Sequence, residues 1–266
     1  MSLFEAIILG LVQGLTEFIP ISSSGHLVLV QALFGRGQDH LFLEWINVGT
    51  VLALIVFFRH RIVAIIDGII RKRDYRLARN IVVSAIPAGV IGFTFADIIE
   101  SEPFFGSVTT VLVTLFVVGV LMVVLDKLPR LSAVSDGAKL SVPRALAIGL
   151  AQAAALVPGV SRSGSTIIAG RLLGLKPAAA AEYSFLLSIP IMLGVLAKVS
   201  IKSSDRAYLM DNLSTIIVGN TVAFISGLLA VGFLMRYLER HNLSLFGWYR
   251  IGLVLVVGAI LLIASL

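Results

Sequence analysis

Two short stretches of this chain carry polar and ionisable side chains within otherwise apolar sequence. The first reads Gln13-Gly-Leu-Thr-Glu17-Phe-Ile-Pro20-Ile-Ser22-Ser23-Ser24-Gly25-His26, the second Pro158-Gly-Val-Ser161-Arg162-Ser163-Gly164-Ser165-Thr166. Together they supply a carboxylate, a cluster of hydroxyls, an imidazole and a guanidinium. On a helix Gln13 and Glu17 sit one turn apart on one face, and Ser23 precedes His26 by three residues on another. Pro20 and Pro158 each stop an incoming helix, and the serines behind them are good caps for an outgoing one. Two helix N-termini brought together make an anion site, and Arg162 adds a planar fork suited to phosphate oxygens. The chemistry this points to is attack on phosphorus: by Ser23, with His26 as base and Glu17 orienting His26 or holding a cation, or by His26 itself. The sequence leaves both routes open.

Other polar residues have plainer readings. Gln13 matches Gln152 elsewhere in the chain, so a helix-packing hydrogen bond competes with a chemical role. Ser22 and Ser24 read first as caps. Glu44 and Glu182 read as structural acids outside the site, and His40, His60 and His241 as solvated loop histidines.

The elements that position these stretches follow from composition. The chain is 58% hydrophobic and 14% charged with a mean hydropathy of +1.01, where a soluble domain carries about 25% charged residues. Long apolar segments are expected at approximately 41–58, 80–97, 105–125, 183–199, 212–235 and 247–266. Such lengths cross a hydrocarbon core about 30 Å thick as helix. Val111–Leu125 and Ile251–Leu266 are apolar on every side, which excludes the alternation of a β-barrel. The chain has no cysteine, so disulfides and thiolate metal sites are excluded. Its start carries no basic region or small-residue cleavage site and reads as a mature N-terminus. The net charge of +6 sits in loops between spans, which favours topology over nucleic-acid binding.

The chain also repeats itself. A shift of 139 positions places Gly10-Leu11 on Gly149-Leu150, Gln13 on Gln152, Ser22 on Ser161, Ser24 on Ser163 and Gly25 on Gly164. With one-residue adjustments Glu44-Trp45 falls on Glu182-Tyr183 and Asn80 on Asn220. The halves are approximately 1–130 and 140–266 of a single membrane domain spanning 1–266. Each half holds two short apolar segments around its polar break, Leu3–Phe18 with Leu27–Phe34 and Arg144–Val157 with Ile167–Leu175, followed by three long ones. The short pairs are expected to dip in and return as re-entrant hairpins. Three crossings per half then invert the second half relative to the first. The predicted fold is thus an all-α integral membrane protein with an inverted-topology repeat, each half a re-entrant helical hairpin plus three transmembrane helices.

Lys and Arg in loops set the orientation. The stretch 59–79 holds seven, and with 126–144, 171–177 and 236–250 on the same side the cytoplasmic total is sixteen of twenty-one. Arg36, Lys198, Lys202 and Arg206 fall on the other side, with Asp97, Glu100 and Glu102 in a short outer loop. The first hairpin then opens outward, the second toward the cytoplasm, and their breaks meet near the midplane.

Gln13-x-x-x-Glu17 with Pro20-Ile-Ser22-Ser23-Ser24-Gly25-His26, and Pro158-Gly-Val-Ser161-Arg162-Ser163-Gly164-Ser165-Thr166, resemble the two signature motifs of the undecaprenyl diphosphate phosphatases of the bacitracin-resistance type. The likeness covers essentially the whole chain. It implies hydrolysis of undecaprenyl diphosphate to the monophosphate carrier and inorganic phosphate at the outer face of a bacterial plasma membrane, with a divalent cation, Mg or Ca. It implies Glu17, Ser23, His26 and Arg162 as catalytic residues. Ser22, Ser24, Gly25, Ser161, Ser163, Gly164 and Thr166 become the phosphate-binding set, and Gln13 and Glu17 the metal positions. With Gln13 in the first acidic position, such a cation would rest on one carboxylate and one amide. Partners implied are the polyprenyl diphosphate and membrane lipids, not nucleic acid; a homodimer is left open. The competing readings are an inverted-repeat transporter or flippase for a phosphate-bearing substrate, and a purely structural membrane subunit.

Overall fold

The computed structural model describes all residues except 35–38, 96–97, 100–101, 128–133 and 265–266; Arg36, Asp97 and Glu100 of the orientation argument lie outside the described residues. Among the described residues the regular structure is all helical, apart from one isolated parallel bridge between Val134 and Leu175. The helices are α1 (Leu3–Phe18), α2 (Ser23–Leu33), α3 (His40–Trp45), α4 (Asn47–Phe57), α5 (Arg59–Arg71), α6 (Arg76–Thr94), α7 (Pro103–Gly106), α8 (Val108–Leu125), α9 (Val142–Ala153), α10 (Arg162–Leu172), α11 (Pro177–Ile201), α12 (Ser203–Asp211), α13 (Leu213–Arg240) and α14 (Ser244–Ala264).

Among the described residues six helices are long and apolar enough to cross a membrane: His40–Phe57, which combines α3 and α4, then Arg76–Thr94, Val108–Leu125, Pro177–Ile201, Leu213–Arg240 and Ser244–Ile263. They coincide with the six long segments predicted from hydropathy. α8 shows why composition decides here. Its buried stripe, Val111, Leu115, Val118, Met122 and Leu125, follows helical spacing, yet Val113, Phe116, Val117, Leu121 and Val124 are exposed on its other sides. Apolar side chains on both the packed and the unpacked face suit a lipid surround.

The first helix of each short pair does not pack within its own half alone. α1 lies along α13, near the end of the chain, while α9 lies along α6, in the first half. α4 also rests on α13, and α11 on α6. The first helix of each short pair thus packs on a long helix of the other half of the sequence, which brings the two polar breaks to one place.

Glycine makes the α1–α13 approach close enough for this. A Cβ on Gly14 would lie 2.5 Å from the Ala223 carbonyl oxygen and 2.8 Å from the Gly227 nitrogen, and one on Gly10 would run into the Gly219 carbonyl. Backbone cannot step aside as a side-chain tip can, and small residues are what let membrane helices meet backbone to backbone. Gly14→Ala is expected to cost about 1–3 kcal/mol. It should appear as a lower thermal unfolding midpoint in detergent. Gly89 of α6, where an added Cβ meets nothing within 4 Å, is the matched control and should leave the midpoint unchanged or slightly raised as alanine.

Candidate active site

Each break is built the same way. α1 stops at Phe18, Ile19 turns extended, and Pro20 follows, so the helix cannot continue. The chain re-enters helix through Ser22, whose side chain accepts the Gly25 N–H at 3.3 Å. In the second break Val157 turns extended and Ser161 caps α10, accepting the Gly164 N–H at 3.0 Å. Ser22 and Ser161 both have φ of 76°, a left-handed backbone that a residue with a Cβ rarely adopts. Such strain costs about 1–3 kcal/mol, and it recurs at the same repeat position in both halves. Its effect is to aim the first N–H groups of α2 and α10 into the space between the breaks.

Glu17 is the centre of that space. Its Oε1 accepts Arg162 Nη2 at 2.8 Å, and its Oε2 accepts the Ser23 hydroxyl at 2.5 Å and the Gln13 amide at 3.2 Å. The Glu17 and Arg162 side chains are only 10% and 15% exposed. The second guanidinium nitrogen, Arg162 Nη1, is buried with no protein partner. Ser23 and Arg162 are the first residues of α2 and α10 and are related by the same shift of 139 that relates their caps. One repeat position thus supplies a hydroxyl in one half and a cation in the other, and both converge on one carboxylate.

Ser23 and His26 do not pair. His26 Nδ1 lies 2.7 Å from the Ser22 carbonyl, which can only accept, so Nδ1 carries a proton and Nε2 of the neutral ring keeps its lone pair. Nε2 accepts the Tyr249 hydroxyl at 2.8 Å, and the two rings stack at 5.7 Å with an interplanar angle of 10°. The group beside the Ser23 hydroxyl is Glu17.

Tyr249 and its neighbour Arg250 were not anticipated as part of the site. Arg250 was placed with the cytoplasmic stretch 236–250; the structure corrects this, because Arg250 lies inside α14 and is 0% exposed. Its Nε donates to the Pro20 carbonyl at 2.9 Å, its Nη1 to Gly159 at 3.0 Å and its Nη2 to Val160 at 3.3 Å. One guanidinium therefore spans both breaks on the carbonyls just before their caps. Thr114 of α8 adds a bond to the Pro158 carbonyl at 2.7 Å.

The space opens into a cleft of about 560 Å³ running from Gln13, Glu17 and Ser23 past Glu44 of α3 to Lys198 and Lys202 at the end of α11. Glu44, read as lying outside the site, is part of its lining. Its repeat mate Glu182 instead pairs with Arg61 at 2.8 Å. Beyond the cleft, the Tyr208 hydroxyl of α12 donates to Asp39, the cap of α3. Burial and that carboxylate push the phenol above its ordinary range.

The family model for the bacitracin resistance protein BacA matches residues 6–256. The chain belongs to the BacA family. Among curated relatives, undecaprenyl-diphosphatase 1 of Clostridioides difficile (strain 630) is 39% identical over 266 residues, covering 97% of this chain and 95% of the relative. Undecaprenyl-diphosphatase 2 of Shewanella oneidensis is 36% identical over 263 residues, covering 95% and 96%. The undecaprenyl-diphosphatase of Azotobacter vinelandii is 39% identical over 256 residues, covering 95% and 92%. With six membrane-length helices, this member of the family is a multi-pass membrane protein.

Of the residues singled out for this family, Gln13, Glu17, Ser23 and Arg162 form one bonded cluster. Ser22 bonds Ser24 at 3.2 Å, Ser161 bonds Ser163 at 3.1 Å, and Ser163 reaches the Glu17 carbonyl at 3.4 Å. Gly25 and Gly164 contribute the capped N–H groups. Thr166 faces away, its hydroxyl donating to the Arg162 carbonyl at 2.8 Å and bonding Ser184. Asn47, unforeseen, fixes Gln13: its Nδ2 is committed to the Leu43 and Glu44 carbonyls, so its Oδ1 must accept from the Gln13 amide at 2.8 Å.

That orientation bears on the divalent cation the family resemblance implies. Gln13 presents N–H rather than oxygen to Glu17, and both Glu17 oxygens already accept bonds. Among the described residues no three His, Cys, Asp or Glu side chains gather as a metal group. The donor set does not fit a cation held by Gln13 and Glu17 as they stand.

Proposed function

We propose that this chain hydrolyses undecaprenyl diphosphate to undecaprenyl phosphate and inorganic phosphate, recycling the lipid carrier of cell-wall synthesis. Family membership and relatives named for that activity support the substrate. The observation that carries the mechanism is the Glu17 bridge. It bonds a serine hydroxyl and an arginine at once, and the arginine keeps a buried donor unused.

In the first step Ser23 Oγ attacks the terminal phosphorus while its proton passes to Glu17 Oε2. The bond from phosphorus to the bridging oxygen breaks, and undecaprenyl phosphate leaves with that oxygen. Arg162 Nη1 and the N–H groups of α2 and α10 stabilise charge on the equatorial oxygens. In the second step water attacks the phosphoserine and His26 Nε2 takes the water proton; the bond from phosphorus to Ser23 Oγ breaks, Ser23 Oγ takes its proton back from Glu17 Oε2, and inorganic phosphate is released, His26 then giving its proton to solvent. With Nδ1 protonated, Nε2 of the neutral ring could also attack directly once the Tyr249 hydroxyl has left it. Rapid quenching separates the two routes, since phosphoserine survives acid and phosphohistidine does not.

The architecture is proposed as an inverted repeat with two re-entrant hairpins. The exchange of α1 and α9 between halves and the matched strain at Ser22 and Ser161 support it. The protein is placed in a bacterial plasma membrane with the cleft outward, supported by the Lys and Arg distribution, which stands at fifteen of twenty-one on the cytoplasmic side once Arg250 is removed from its loop.

The expected result is release of inorganic phosphate from a long-chain prenyl diphosphate by the purified protein in detergent, assayed with and without chelator. Loss of release on chelation would show that a cation arrives with the diphosphate, as Mg²⁺ does when substrate phosphates supply most of its ligands. Binding without release by a folded protein would overturn the enzyme and favour a carrier on the same inverted plan.

A further inference from the structure

α14 touches both halves of the site through two consecutive residues, neither of which lies in a polar break. Arg250 is wholly buried and held by three carbonyls from the two breaks, so the α14 backbone beside it is anchored. Tyr249 is 45% exposed, and its hydroxyl sits on the one ring nitrogen of His26 that carries a lone pair. The ring beneath is stacked and its other nitrogen is spent on the Ser22 carbonyl. A rigid base thus carries a cap that can move.

We propose that Tyr249 is the positioning residue of His26, holding the ring by its Nε2 and giving that nitrogen up when the diphosphate arrives. The phenol can donate to Nε2 of the neutral ring or accept from Nε2–H of the charged one, so the bond fixes where the ring nitrogen sits in either form. The bond must also be released before Nε2 can act. Tyr249 therefore acts through His26 and touches no reacting atom itself. This deepens the proposed role of His26 and rests on it.

Tyr249→Phe keeps the stacked ring and removes only the hydroxyl. Diethyl pyrocarbonate acylates the lone-pair nitrogen of neutral imidazole, and mass spectrometry of the His26 peptide separates it from His40, His60 and His241. In Tyr249→Phe, His26 should be acylated about fivefold faster, the factor expected for one neutral hydrogen bond. Its kcat should fall about tenfold with KM little changed, as for a misplaced general base. Unchanged acylation overturns the proposal whatever kcat does, and faster acylation with unchanged kcat overturns it too, because the cap would then shield without positioning. If Tyr249→Phe fails to fold, Arg250→Lys loosens the anchor and should speed His26 acylation in the same way. His26→Asn keeps the two claims apart: full activity there removes His26 from the mechanism, whereas the acylation rates of the parent and of Tyr249→Phe, which keep His26, report whether Tyr249 covers it.

Discussion

Replacing Glu17 with glutamine is expected to abolish turnover, lowering phosphate release by about a thousandfold, within the range spanned by a positioned general base. The substitution keeps shape and hydrogen-bonding reach, so what it removes is charge and basicity. An amide cannot take the Ser23 proton, and one end of it must present N–H to either Ser23 or Arg162, where the carboxylate now accepts from both. Arg162, 15% exposed, would also lose its counter-charge. Breaking a buried pair on one side costs about 3–5 kcal/mol at full burial, so the unfolding midpoint should drop as well. Measuring both separates the effects: a stable variant with lost turnover reports the base. Release within about tenfold of the parent would remove Glu17 from that role.

Glu17 is legible in the sequence, but its partners are Ser23 and Arg162 rather than His26, for a local reason. Ser23 and His26 stand three apart on one helix, which suggests that hydroxyl and imidazole share a face. His26 Nδ1 is instead drawn back one turn to the Ser22 carbonyl, which turns Nε2 toward Tyr249. Helical spacing predicts which residues neighbour each other, but not which orphan carbonyl a ring nitrogen will satisfy. The spans, the breaks and the serine caps were legible because each is set by nearby sequence: run length, a proline, a hydroxyl one residue before a helix.

Arg250 and Tyr249 were not legible because their partners are tertiary. His26 and Tyr249 are 223 residues apart, and the Arg250–Pro20 bond spans 230. The signal that was present is an arginine inside a segment predicted to span at 247–266, and it was assigned to the adjoining loop. A charge at that depth must find partners, and carbonyls freed by two helix breaks are the available ones. The repeat misled in one further respect. Glu44 and Glu182 match at the sequence level, but one lines the cleft and the other pairs with Arg61. Equivalent positions in the two halves have diverged in use, as Ser23 and Arg162 also have.

Arg162→Lys is expected to lower kcat/KM by about 2–4 kcal/mol of transition-state stabilisation, roughly thirty- to a thousandfold, with the protein still folded. The geometry explains why conservation of charge is not enough. The guanidinium has two tasks in different directions: Nη2 holds Glu17 Oε1 at 2.8 Å, while Nη1 is buried and unpaired beside it. A lysine ammonium can satisfy the carboxylate, and the ion pair should persist. It cannot at the same time present a second donor in the plane of the fork, so the phosphate oxygens lose theirs. The loss should therefore fall on the chemical step: phosphoenzyme formation slows in rapid-quench experiments, while the unfolding midpoint stays close to that of the parent. Activity within about threefold of the parent would mean that Arg162 serves only to balance Glu17 and that the phosphate is held by the N–H groups of α2 and α10 alone.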